Sequence, residues 1–127
     1  LNMINIRKML RSFGYAFEGL SALFKHENNA RFHLFAAIGV VIGGIGFDID
    51  SKEWALTVLA IGGVWAAEAF NTALEKVCDL VSPGVHPQIK AIKDLAAAGV
   101  LIMAGVALII GLLIFGEKIM RLLLNSM

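Results

Sequence analysis

The stretch Leu95–Phe115 runs for 21 residues without a charged side chain. As a helix rising about 1.5 Å per residue it is about 31 Å long, the thickness of the hydrocarbon layer of a bilayer. Such a segment fixes the solvent of the whole chain. In lipid every backbone N–H and C=O must be satisfied internally, and an apolar run of this length does so as a helix. Two more apolar runs precede it. Phe32–Phe47 is short for a span and reaches spanning length by extending back through Ala30 and Arg31, with the arginine snorkelling. Trp54–Val81 contains no breaker. Of the 127 residues, 58% are hydrophobic and 17% charged. A soluble domain this small cannot usually hide that much apolar surface.

Inside the second of these runs the chemistry changes without a linker. Trp54 to Ala67 is apolar, and Glu68-Ala-Phe-Asn71-Thr72-Ala-Leu-Glu75-Lys-Val-Cys-Asp79 follows directly. At about 100° per residue Glu68, Asn71, Thr72, Glu75 and Asp79 share one stripe of a helix. Glu68 lies about 21 Å along from Trp54 and so falls within a core of about 30 Å. Glu75 and Asp79 lie further out, toward the headgroups. Carboxylates at that depth are costly and mark a functional site by default. The alternative is the solvated face of an ordinary helix end.

The rest of the chain supplies possible partners for these acids. Ile6, Met9, Leu10, Phe13, Phe17, Leu20 and Phe24 recur at helical spacing, with Arg7, Lys8, Arg11, Glu18 and Lys25 off that face. The pattern suits a helix lying in the membrane interface. His26–Arg31 is a polar break in which an Asn can cap the next helix. Gly39-x-x-x-Gly43 fits a small-residue packing face. His33 reads as packed or interfacial, and not as a metal ligand. Ser51 can cap the second span, Pro83 and Gly84 end it, and Pro87 suits the first turn of the third. That turn brings Lys90, Lys93 and Asp94 back toward Glu75 and Asp79. Glu117–Met127 reads as a separate interfacial helix. Lysine and arginine counts put the N-terminus and the second loop in the cytoplasm, which places the C-terminus outside, against Lys118 and Arg121. Met3 reads as the natural start, with residues 1–2 foreign, and no secretory signal peptide is visible.

Several classes are disfavoured. A formal net charge of +1 argues against a nucleic-acid partner held by bulk electrostatics. The single cysteine, Cys78, excludes an internal disulfide and a cysteine-based zinc cluster. Carboxylates alone would suit a cation channel or an assembly subunit. Carboxylates mixed with lysine and arginine suit a nucleotide with Mg²⁺, which is held by one or two carboxylates plus phosphates. None of the common nucleotide signatures, G-x-x-x-x-G-K-[ST], G-x-G-x-x-G, H-R-D or D-F-G, occurs.

Glu68-Ala-Phe-Asn71-Thr72-Ala-Leu-Glu75-Lys-Val-Cys-Asp79-Leu-Val, with His86-Pro87 and Lys93-Asp94-Leu-Ala-Ala-Ala, resembles the small prokaryotic diacylglycerol kinase family, which includes undecaprenol kinases. The resemblance runs from about Arg7 to Phe115 and takes in Gly14-Tyr15-Ala-Phe-Glu-Gly19-Leu and Glu27. It implies a single all-α integral-membrane lipid kinase domain over 1–127. An amphipathic surface helix at about 4–25 precedes three transmembrane helices at about 30–47, 54–81 and 87–115. The assembly implied is a homotrimer with shared active sites in the bacterial cell membrane, working at the cytoplasmic face. The implied reaction is ATP- and Mg²⁺-dependent phosphorylation of a lipid alcohol. Glu68 would be the catalytic base, supported by Asn71, and Glu27 and Glu75 the metal carboxylates. Lys8, Arg11, Tyr15, Glu27, Glu75, Gly84, Val85, His86, Lys93 and Asp94 would meet ATP. Lys8, Glu68 and Ala97 would meet the lipid. Lys8 departs from the arginine expected there and loses its bidentate fork, a task Arg7 or Arg11 can share. Asp79-Leu-Val and the Val81…His86-Pro87 turn look more like the undecaprenol kinase branch. The alternative acceptor is diacylglycerol, giving phosphatidic acid.

Overall fold

The computed structural model describes residues 3–127, so the reading of residues 1–2 as foreign lies outside it. Four helices follow one another: α1 (Ile6–His26), α2 (Asn28–Gly46), α3 (Ser51–Val81) and α4 (Pro87–Asn125). Three of them, α2, α3 and α4, are long and apolar enough to cross a membrane. The antiparallel pair α3 and α4 shares the largest interface, α2 lies against α3, and α1 touches α2 and α3. Few side chains are buried, and α4 buries only Ile114. A helix this apolar with so little covered is consistent with lipid, or other copies, as its surroundings.

The boundaries have local causes. Asn5 caps α1, its Oδ1 accepting from the Lys8 amide at 3.1 Å. A single extended residue, Glu27, separates α1 from α2. Its N–H donates to the Leu23 carbonyl at 2.9 Å and its carbonyl accepts from the Arg31 amide at 3.2 Å. The expected asparagine cap is not used, because Asn28 and Asn29 already lie in the first turn of α2. Glu27 takes the cap position without a side-chain cap bond, so its carboxylate is not consumed by the turn.

At the far end of α2, Asp48 adopts φ 51°, a left-handed conformation that aspartate tolerates better than most residues. Ile49 then donates to the Gly44 carbonyl at 3.1 Å and is buried. The cap of α3 is Asp50, not Ser51. Asp50 and Glu53 form a reciprocal capping box, with bonds of 2.8 and 3.2 Å. The Glu53 amide holds the Asp50 carboxyl below its ordinary range.

α3 ends at Val81, before Pro83 and Gly84. His86 caps α4 through Nδ1, which accepts from the Gln88 amide at 3.2 Å, and Pro87 fills N1. No break separates a tail helix from the third span: α4 runs on through Glu117 to Asn125. The residues after Gly116 are good helix formers. Arg121 pairs with Glu117 one turn back, and Lys118 Nζ reaches Glu53 at the start of α3, 3.0 Å away. The two Gly39 and Gly43 positions also part company. A Cβ at Gly39 would meet nothing within 4 Å, while one at Gly43 would touch the Phe115 ring at 3.5 Å.

Candidate active site

The buried positions along the inner face of α3 include Thr57, Ala60, Val64, Glu68 and Thr72. Steps of three and four residues trace one stripe turned toward neighbouring helices. Glu68 therefore stands where an apolar residue would ordinarily close the seam, and it is only 2% exposed. An ionised group in such a place needs partners. One comes from α2: His33 Nε2 lies 3.2 Å from Glu68 Oε1. The contact is within ion-pair distance, but its alignment does not make a hydrogen bond, and Oε1 is left without a hydrogen-bond partner. Asn71 Oδ1 is orphaned in the same way. Glu27 and Glu75 are the other charged neighbours that act on Glu68.

Outward along α3 the polarity rises step by step. Asn71 Nδ2 donates to Glu75 Oε1 at 3.4 Å. Lys93 Nζ donates to Asp79 Oδ1 at 2.6 Å and joins α4 to α3. Lys90 Nζ donates to Asp94 Oδ2 at 2.5 Å on the exposed first turns of α4. Two grooves flank this ladder. One, of about 380 Å³ between α1 and α3, is lined by Ala16, Gly19, Glu27, Thr72, Ala73 and Lys76 among others. The other, of about 100 Å³ between α2, α3 and α4, is apolar and has His33 and Trp65 toward one end and Thr57 and Phe115 toward the other. Phe24 of α1 packs edge-on against Trp65, with ring centroids 5.4 Å apart.

Residues 14–115 match the family described as prokaryotic diacylglycerol kinase. The chain belongs to this family. It is 39% identical over 114 residues to an undecaprenol kinase of Bacillus subtilis, covering 90% of this chain and 93% of that one. It is 36% identical over 104 residues to a diacylglycerol kinase of Synechocystis, covering 81% of this chain and 59% of the relative. A diacylglycerol kinase of Escherichia coli is 28% identical over 108 residues, with 85% and 88% covered. The diacylglycerol kinase family is one of lipid kinases, so the chain is an enzyme, and the channel and assembly-subunit readings are set aside.

The residues singled out in the sequence divide into two groups. Glu68, Asn71, Glu75 and Asp79 follow one another along α3 as a ladder of polar side chains, in which Asn71 bonds Glu75 and Lys93 of α4 bonds Asp79, and Glu27 acts on Glu68 at its membrane end. Gly84, Val85 and His86 form the exposed turn above it, with His86 committed to its cap. Asp94 faces Lys90, and Ala97 is exposed on α4. Arg7, Lys8, Arg11 and Tyr15 are exposed on the N-terminal half of α1. Among the described residues they form no ion pair with the acids of α3. The sequence read His33 as packed or interfacial and did not join it to Glu68. Its signal was present: an ionisable group six residues after Glu27, inside an otherwise apolar span.

Proposed function

We propose that the chain phosphorylates undecaprenol at the expense of ATP, giving undecaprenyl phosphate. The observation that carries the reading is Glu68, a carboxylate buried on an apolar seam with an apolar groove on one side and charged side chains on the other. The choice of acceptor follows the relative named undecaprenol kinase, which matches at higher identity and over more of both chains than those named diacylglycerol kinase.

In this reading the lipid hydroxyl arrives from the membrane and Glu68 accepts its proton. The hydroxyl oxygen bonds to the γ-phosphorus, the bridging β–γ bond breaks, and ADP leaves. Asn71, bonded to Glu75, fixes the ladder beside the base. Glu27 and Glu75 would hold Mg²⁺. Among the described residues no three acidic, histidine or cysteine side chains converge as a ready-made metal cage. Two hard oxygen donors nonetheless fit, since Mg²⁺ is commonly held by one or two carboxylates and completed by substrate phosphates. When bound it would neutralise charge developing on the phosphates. Lys93, Asp94 and the Gly84–His86 turn would meet the nucleotide, and Ala97 the lipid.

Lys8, Arg11 and Tyr15 complete the site from a neighbouring copy of the chain, in a homotrimer with α1 lying in the membrane interface. Two features support this. The apolar side of α1, with Phe13 and Phe17, is open, and a groove along α3 floored by Ala55, Gly62, Gly63 and Ala66 could receive another helix. The decisive experiment supplies Mg-ATP with undecaprenol or diacylglycerol in mixed micelles. Undecaprenol is expected to be phosphorylated with the higher kcat/KM, and Glu68→Gln to abolish turnover with both. Preference for diacylglycerol would overturn the acceptor. An active Glu68→Gln would overturn the base.

A further inference from the structure

The contact between α2 and the base has no counterpart in the nucleotide chemistry above. Glu68 is nearly inaccessible, and its other charged neighbours, Glu27 and Glu75, are both acidic. Lys93 of α4 lies further out, on Asp79 of α3. His33 is therefore the one group in contact with Glu68, among the described residues, that can offer it a proton donor. Its imidazole sits at a junction. Nε2 faces Oε1 at 3.2 Å, and the ring also lines the apolar groove with Ala36, Ala37 and Trp65.

We propose that His33 is a positioning residue for Glu68: its Nε2, 3.2 Å from Oε1 and not yet aligned as a donor, swings into line to hold the carboxylate when the lipid hydroxyl is delivered along the apolar groove that the ring lines. The proposal deepens the kinase reading and rests on Glu68 being the base. A bare carboxylate on a hydrophobic seam has several rotamers and no preferred direction. A donor on one oxygen selects one of them, so that the accepting lone pair points at the incoming hydroxyl. Displacement of a base by about 1 Å can cost on the order of a hundredfold in rate. The neighbouring helices account for the location. α1 and α4 place no titratable side chain on Glu68, so the duty falls to α2, where His33 lies on the turn after Ala30, a residue buried against the bundle.

Two substitutions separate this role from packing. His33→Phe keeps the ring volume and removes the donor. His33→Gln carries an N–H at the same number of bonds from Cβ as Nε2, and removes the ring. If His33 positions the base, His33→Phe lowers kcat by about tenfold to a hundredfold. Its KM for Mg-ATP stays within about twofold of the parent, because the nucleotide ladder is untouched. His33→Gln restores most of the lost kcat. The proposal is overturned by a parental kcat in His33→Phe, by His33→Gln as slow as His33→Phe, or by a collapse of Mg-ATP KM in either. Glu68→Gln run alongside separates the two ideas. An active Glu68→Gln removes the base assignment and His33 with it, whereas an inactive Glu68→Gln beside a fully active His33→Phe removes His33 alone.

Discussion

Glu68, the proposed base, sets function against stability within one residue. Its neighbours on the seam, Val64 and Thr72, are buried, and so is its own side chain, which meets His33 of α2. The carboxylate keeps an oxygen without a hydrogen-bond partner, and its closest charged neighbours apart from His33 are acids. Replacing a buried, incompletely satisfied charge by an apolar residue of similar volume is often neutral or stabilising, by about 1–4 kcal/mol. Glu68→Leu is thus expected to unfold at a higher temperature than the parent in the same detergent while losing kinase activity, the trade that the proposed base would make. Thermal unfolding followed by circular dichroism decides it. A clear drop in melting temperature would mean that the carboxylate is better satisfied than its contacts show. The sequence made this residue legible because three carboxylates fell on one face of an apolar helix. It did not join His33 to Glu68, because one histidine in a span has no periodic partner. Only the crossing of α2 over α3 brings it to Glu68.

At the scale of the helices, hydrophobic runs located the four elements and the turns set most of their ends, but the run ending at Phe115 did not reveal that α4 continues to Asn125. Pro87 at N1 of α4 was legible because proline has few other places in a helix. The caps at Glu27 and Asp50 were not, since Asn28 and Ser51 offer equally good cap chemistry one residue later. The choice between them is made by packing. Near Asp50 that packing is tight: Ile49 is buried, and Trp54 folds over Gly44. A Cβ on Gly44 would stand 2.7 Å from Trp54 Cη2 and 3.1 Å from Ile49 Cδ1. Neither neighbour can retreat easily, the indole being rigid and the isoleucine enclosed. Gly63 also faces a close neighbour, but that is the terminal methyl of Met103, which can swing away. Gly44→Ala is therefore expected to cost about 1–3 kcal/mol through overpacking. Gly63→Ala should come out near neutral, since alanine favours a helix over glycine by about 1 kcal/mol. Equal melting temperatures for the two variants would show that Trp54 moves as freely as Met103.

Across the whole molecule the charges gather at two ends with an apolar belt between them. One end holds Asp79 with Lys93, Lys90 with Asp94, and Glu27 nearby. The other holds Asp50 and the Glu53–Lys118 pair. Along α3, Glu53 and Asp79 are 26 residues apart, about 39 Å, which exceeds a hydrocarbon core of about 30 Å. Each set can therefore sit in its own headgroup layer. Glu68, about 22 Å from Glu53, remains inside the core near the edge where Glu75 and Asp79 emerge. The Lys118 contact sets this part of α4 on the face of the α2–α3 loop, as three crossings require. Lysine and arginine are richer on the opposite face, with Lys25, Arg31, Lys76, Lys90 and Lys93 against Lys52, Lys118 and Arg121, so the site end should face the cytoplasm. The native thiol, Cys78, is buried and gives a quiet background for testing this. A thiol introduced by Val85→Cys, at a fully exposed position in the α3–α4 turn, is expected to resist a membrane-impermeant maleimide in intact cells and to react in inside-out vesicles. Lys52→Cys should show the reverse. Labelling of Val85→Cys from outside the cell would put the site where ATP is scarce, and the kinase reading would then need the opposite topology to work at all.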